Sequence, residues 1–258
     1  MPRICTVHED HPLTRQEIQS ILSHADPLMR ALILLLASSG MRIGEALSIC
    51  PDDIRLGEPS AVHLSRDRMK ARTAHTYYFS SEAQAAISEW LKVRDAYLTT
   101  AGVRTRLCLK HKTSRSSCIF PLSAATIREK FVRILKAAKL YELCEESGRA
   151  TITLHSFRKW SESTMKLHIP INVANELIGH DEGLSKSYRR YSDQQIKAAY
   201  LSVEPHLSVL APPDYSELRE HTASVLAEQQ ATTSAIAAEL VKMKAELDEI
   251  RMFMHTSE

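Results

Sequence analysis

Six side chains of this 258-residue sequence are of types, and in an order, that could transfer a phosphoryl group without a metal. Arg42 stands in SSGMRIGEAL, at the start of a helix that follows a glycine turn. Lys70 sits in the turn of the basic stretch RDRMKARTAH. LHSFRKW sets His155 and Arg158 one helical turn apart on the same face. IGHDEG puts His180 just past an apolar helix, and SYRRYS offers two phenols, Tyr188 and Tyr191. A phosphodiester attacked by an oxygen nucleophile gathers negative charge on its non-bridging oxygens. The rigid arginine fork meets that charge with paired hydrogen bonds, better than lysine does. A phenol of pKa about 10 needs a neighbouring base or cations before it can attack. The leaving oxygen needs a proton, which a positioned lysine can give. Each residue also has an ordinary use: Arg42 as an ion-pair partner of Glu45, His180 as a helix-terminus residue, Lys70 as a solvated charge, a tyrosine as half-buried packing. The joint occurrence of all of them, in this order, favours the chemistry.

These groups need a scaffold, and the local signals describe a helical one. Thr14-Arg15-Gln16-Glu17 is a capping box, which predicts a helix from near Arg15 to about His24. Pro27 opens a second helix that ends at Ser39-Gly40, and a third, short one carries Ile43, Ala46, Leu47 and Ile49 and stops before Pro51. Two β-like runs, 61–65 and 76–80, flank the basic stretch and predict a hairpin with positive charge near its turn. Helices are expected at about 81–98, 123–138, 153–166, 170–178 and 193–203, with a polar, basic loop at about 103–118. The fold class expected is mainly α with a small antiparallel β-sheet. Pro212-Pro213 marks a joint. From Leu218 to Met254, apolar or tolerated residues recur at alternating steps of four and three, with one stutter near Ile236. That pattern predicts a coiled coil over 213–258; the alternative is one long amphipathic helix folded back on the body.

Composition narrows the function classes. Hydrophobic residues make up 44% and charged residues 25%, the mix of a globular protein, and only 7 glycines leave helix to dominate. No apolar run approaches the 18 residues a membrane span needs, and the first residues hold no apolar signal core, so a cytoplasmic location is expected. The cysteines at 5, 50, 108, 118 and 144 are odd in number, without a CxxC pair, and suit a reducing compartment. Neither they nor the scattered histidines have zinc-site spacing, and no metal or cofactor is expected. The net charge of +2 hides an asymmetry: 213–258 is net −5, which leaves 1–212 at net +7. A basic body suggests a polyanionic partner.

With these motifs in place, the sequence resembles the tyrosine recombinases, the phage integrase family. GMRIGEAL resembles the family's first arginine box; HSFRKW, followed by ELIGH and a nearby SY, resembles its second box and nucleophile segment. The likeness is closest to the archaeal branch, through PLTRQEI, HSFRK and SYRRYSDQQIKAAYLSVEPHLSV, and covers about residues 12–210. It implies a catalytic domain over 13–210 that cuts and rejoins double-stranded DNA at specific sites through a covalent 3′-phosphotyrosine, without metal or cofactor, as a homo-oligomer on DNA. Residue by residue, it implies that Arg42 and Arg158 clamp the scissile phosphate and His180 hydrogen-bonds it. Tyr188 attacks, His155 serves it as general base, and Lys70 protonates the departing 5′-hydroxyl. Such proteins usually couple neighbouring protomers through C-terminal segments, a role open here to 213–258. Three departures stand out. The step from His180 to Tyr188 is short, which leaves Tyr191 as a rival nucleophile. Lys70 lies in a variable hairpin, where Arg68 or Arg72 could replace it. The family normally carries an N-terminal helical domain that closes around DNA, whereas about 12 residues precede the match here and read as an arm or linker remnant. Rival expectations are a type IB topoisomerase or hairpin telomere resolvase, and a non-catalytic DNA-binding or assembly factor derived from a recombinase.

Overall fold

The structure, a computed structural model, describes residues 11–69, 73–105, 117–145, 147–180 and 191–210. Helix α1 (Arg15–Ser23) starts as the capping box demands: Glu17 N–H donates to Thr14 Oγ1 at 3.2 Å, and Thr14 N–H to Glu17 Oε2 at 2.8 Å. Helix α2 (Pro27–Ser39) has proline at its first position and Asp26 as N-cap, and it ends on Gly40 in the left-handed conformation at φ 65°. Every residue of α2 except Pro27 and Arg30 is buried. A helix apolar on all sides has to be wrapped by others, and α2 is packed by α4 (Ser81–Thr105) and α6 (Leu154–His168). Its buried Ser38 and Ser39 hydroxyls donate back to Leu34 O and Leu35 O, at 2.8 and 2.6 Å.

Around this axis lie the short α3 (Ile43–Ala46), α5 (Ala124–Ala137), α7 (Ile171–Leu177) and α8 (Asp193–Leu207). The sheet is antiparallel in the order β1 (Ile54–Arg55), β2 (Ser60–Leu64), β3 (His75–Phe79), with Val62 opposite Tyr77 and Ile54 opposite Val62. The expected hairpin is therefore present. The strand β1 beside it is two residues long, too short to show an alternation in sequence. The main core gathers around α2; a smaller cluster of Met165, Ala174, Leu177, Ile178, Tyr200 and Val203 ties α6, α7 and α8 together.

Two helices outrun their expected ends. α4 continues past residue 98 because the hydroxyls of Thr99 and Thr100 bond back to Asp95 O and Ala96 O, both at 2.9 Å, rather than capping. α8 contains Pro205 and still closes its last turn, with Leu207 buried and Ser208 N–H donating to Glu204 O at 3.0 Å. Among the described residues no helix is long and apolar enough to cross a membrane. The segment 213–258, with its expected coiled coil, lies outside the described residues, as does most of the expected basic loop.

Candidate active site

Arg158 is the anchor. It lies in the second turn of α6, 5% exposed, and its Nη1 donates to Gly40 O at 2.5 Å and to Ile178 O at 3.0 Å. One guanidinium thus joins the C-terminal ends of α2 and α7, 118 and 20 residues away in sequence. Gly40 makes the approach possible. A Cβ there would lie 2.8 Å from Ile178 Cγ2 and 3.0 Å from Ser161 Oγ, on a backbone of positive φ. The two bonds engage Nη1, and the fork has three more N–H donors on Nη2 and Nε. Burial, then the charge of Arg42, lower the Arg158 pKa, and Tyr77, Glu45 and Glu162 work against that shift. Starting from arginine's high value, the group remains a cation at neutral pH.

Arg42 is the N-cap of α3, its side chain 30% exposed. Its backbone N–H donates to Glu45 Oε2 at 3.1 Å and its Nη1 to Glu45 Oε1 at 3.2 Å. The ion pair expected from sequence therefore exists, but it orients Arg42 rather than removing it: the charge of Arg42 is felt at both Arg158 and His155. Glu45 is buried and also accepts from Tyr77 Oη at 2.9 Å. Burial and then the Glu45 charge push the Tyr77 phenol far above its ordinary pKa, so it stays a neutral donor.

The two histidines complete the site. His155 lies one turn before Arg158 with an exposed face, and partial burial, then the charges of Arg158 and Arg42, lower its pKa; Glu162 pulls the other way. His180 follows Gly179, whose φ of 63° turns the chain out of α7. A Cβ on Gly179 would meet Tyr77 Oη at 2.9 Å and His75 Cδ2 at 3.2 Å. The His180 N–H donates to Asn175 O at 2.9 Å. Its side chain is 52% exposed, with Nδ1 3.9 Å from Glu162 Oε1.

Arg42, His155, Arg158 and His180 are thus supplied by the ends of α3, α6 and α7 around one region, while Lys70 and Tyr188 lie outside the described residues, as does Arg72. The two rivals that are described have structural partners. Arg68 forks onto Asp53, at 2.5 Å to Oδ2 and 2.8 Å to Oδ1, and donates to Ser48 O at 3.2 Å. Tyr191 packs, half-buried, against the α6–α8 cluster. Sequence reading passed over Tyr77, His75 and Glu162. Glu162 alone left a signal, as an acid four residues past Arg158 on the same helix face. Among the described residues no group of three or more His, Cys, Asp or Glu side chains is placed to hold a metal ion. Clustered cations of this kind can bind a phosphodiester and stabilise charge developing on it, next to an imidazole able to accept a proton.

The model of the phage integrase family matches residues 11–198. Among solved structures, the chain is similar to a crystal structure of XerA recombinase, with 18% identity and a TM-score of 0.50 over 78% of this chain and 65% of that one. It also matches XerH site-specific recombinase bound to difH substrate in a pre-cleavage complex (19% identity, TM-score 0.44, 72% of this chain, 52% of that one). The lambda integrase catalytic core matches at 18% identity and TM-score 0.45, over 66% of this chain and 95% of that one. The chain thus spans 65% and 52% of the XerA and XerH chains. The likeness to XerA is one of fold. No curated protein matches this chain.

Proposed function

The chain belongs to the phage integrase family, and from that premise we propose that it is a tyrosine recombinase that cuts and rejoins double-stranded DNA at specific sites. The observation that carries this reading is the meeting of Arg42 and Arg158, far apart in sequence, where the charge of Arg42 acts on Arg158 and the charges of both act on His155. Two guanidinium forks offer paired donors to the non-bridging oxygens, where charge grows during attack. Tyr188 Oη attacks phosphorus, the bond from phosphorus to the 5′ oxygen breaks, and the 3′ phosphate is left on the phenol. The phenolic proton passes to His155. A base must be unprotonated to accept it, and the lowered pKa of His155 keeps it neutral at neutral pH. Lys70 gives a proton to the leaving 5′ oxygen, and His180 hydrogen-bonds the phosphate. Reversal with a 5′-hydroxyl from another strand completes exchange, and the phosphotyrosine conserves the bond energy meanwhile.

The net +7 of residues 1–212 supports a DNA partner bound largely through its phosphates. The heptad-like seam of 213–258 supports self-association through that segment, and its net −5 favours protein over DNA contacts. PLTRQEI and SYRRYSDQQIKAAYLSVEPHLSV support a member of the archaeal branch, acting in the cytoplasm on a mobile element. The test is a nicked suicide substrate, which loses the strand needed for religation. The wild-type chain should accumulate a covalent protein–DNA adduct, and Tyr188→Phe should abolish it while DNA binding is retained. Binding without any adduct would overturn catalysis and favour an assembly factor.

A further inference from the structure

The face of α6 that carries His155 and Arg158 continues beyond them. Steps of four lead to Glu162 and Lys166, so four charged or titratable groups lie along one stripe. Glu162 is the one acid of the four. Its Oε1 accepts from Lys166 Nζ at 2.5 Å and stands 3.9 Å from His180 Nδ1. A carboxylate this close to a phosphate-binding arginine would work against anion binding unless it served another group. Besides Lys166, which holds the carboxylate from its own helix, the group within its reach is the His180 imidazole of the neighbouring segment.

We infer that Glu162 is a positioning residue for His180, holding Nδ1 so that Nε2 is turned outward to donate to the scissile phosphate. This rests on the recombinase reading above. A carboxylate on one imidazole nitrogen fixes the ring's orientation and aims the other nitrogen the opposite way. With Nδ1–H held, only the imidazolium still has a proton on Nε2 to offer. The 3.9 Å separation is within ion-pair reach of a protonated ring, and catalytic contacts often shorten when the reacting complex forms.

Three features fit. The backbone of His180 is fixed by its bond to Asn175 O and by Gly179 lying against Tyr77 and His75, so the ring is steered through its own torsions. Burial pushes the Glu162 carboxyl up, but the hydrogen bond and charge of Lys166, with His180 and Arg158, outweigh this and hold it below the usual carboxylate range. The exposed half of the imidazole leaves an edge for a ligand. On the described elements beside His180 the other titratable or charged groups are His155, Arg158, Lys159, Lys166 and His168 of α6, His75, Tyr77 and Tyr78 of β3, and Glu176 of α7. Of these and Glu162, it is Glu162 that stands at ion-pair distance.

The test uses the full chain, wild type and Glu162→Gln, which keeps shape and removes charge. The first arm is nitrogen NMR of the histidine imidazoles, with His180 assigned through its loss in His180→Gln. Glu162→Gln should move the His180 Nδ1 resonance, and Glu162→Asp should recover part of the difference; an unchanged resonance overturns the inference. The second arm is single-turnover cleavage of the nicked substrate. Glu162→Gln should be about ten-fold slower at neutral pH, the scale of a hydrogen bond to a charged group. In a His180→Gln background, Glu162→Gln should cost nothing further. An equal loss in both backgrounds would make Glu162 merely structural and overturn the inference. Absence of any wild-type adduct would instead defeat the recombinase reading, and the NMR arm would still decide whether Glu162 holds His180.

Discussion

Arg158 is 5% exposed and engages Nη1 on two backbone carbonyls from different helices, whereas the His180 side chain is 52% exposed and meets one carboxylate at 3.9 Å. Between these extremes, Arg42 is 30% exposed and tied through Glu45 to the buried Tyr77. The inner part of the site is built like a core: a buried cation and a buried anion, each with fixed partners, lock the ends of α2, α3 and α7. The outer part, His155 and His180, is attached to that frame but keeps its ring atoms accessible. The difference teaches which residues should serve folding and chemistry together, and which chemistry alone.

The largest effects should come from the inner part. Arg158→Ala removes the donor shared by Gly40 O and Ile178 O and leaves Glu45 and Glu162 with less compensation. We expect a loss of about 3 kcal/mol of unfolding free energy, the scale for breaking a buried charged contact, and a fall in cleavage of roughly two to three orders of magnitude. Chemical denaturation and single-turnover cleavage measure the two. Arg42→Ala should lower cleavage on the same scale with a clearly smaller shift in the denaturation midpoint, because its side chain is partly solvated. Equal destabilisation by the two substitutions would erase the distinction between the buried and the partly solvated cation.

Gly40→Ala should come next. A Cβ would sit 2.8 Å from Ile178 Cγ2 on a backbone at φ 65°, so about 2 kcal/mol of stability should go, from conformational cost and overpacking together. The melting curve reads this. Because Gly40 O is also an Arg158 partner, cleavage should fall as well; a stable but slow variant would separate carbonyl placement from packing. Tyr77→Phe is milder: it removes one hydrogen bond to buried Glu45, worth about 1–2 kcal/mol. With Glu45 less firmly held, cleavage through Arg42 should slow several-fold.

The smallest effect is pH dependence at His155. Its folded-state pKa lies below the ordinary 6.5, so the unfolded chain binds the proton more readily. Its contribution to stability is therefore fully present above pH 6.5 and is lost as pH falls from there through the folded value. Denaturation midpoints measured across that window should decline, and His155→Gln should flatten the part due to this group. The same titration should set the acidic limb of the cleavage profile, below pH 6.5.

Much of the frame was legible in sequence because it is set by local chemistry. The Thr14–Glu17 box, the Pro27 start and Gly40 stop of α2, and the β-like runs flanking the basic stretch each declare themselves within a few residues. The His155–Arg158 pair was legible for the same reason, as one turn of a helix. What escaped was non-local or competed with a local signal. Tyr77 meets Glu45 across 32 residues, and nothing in either segment announces the other. Glu162 reaches His180 only because α7 folds back on α6. Thr99, Thr100 and Pro205 resemble helix ends in sequence, and tertiary packing and back-bonding hydroxyls carry α4 and α8 through them. Arg68 was a candidate by charge and position, and its fork onto Asp53 shows that position alone did not decide its role.

On the proposed reading, the inner frame serves a tyrosine nucleophile that becomes covalently joined to DNA. The most direct measurement is to trap the wild-type chain on the nicked substrate, digest protein and DNA, and locate the nucleotide-bearing peptide by mass spectrometry. A phosphodiester-linked nucleotide is expected on Tyr188. A nucleotide on Tyr191, or no modified peptide from a sample shown to bind the DNA, would contradict it.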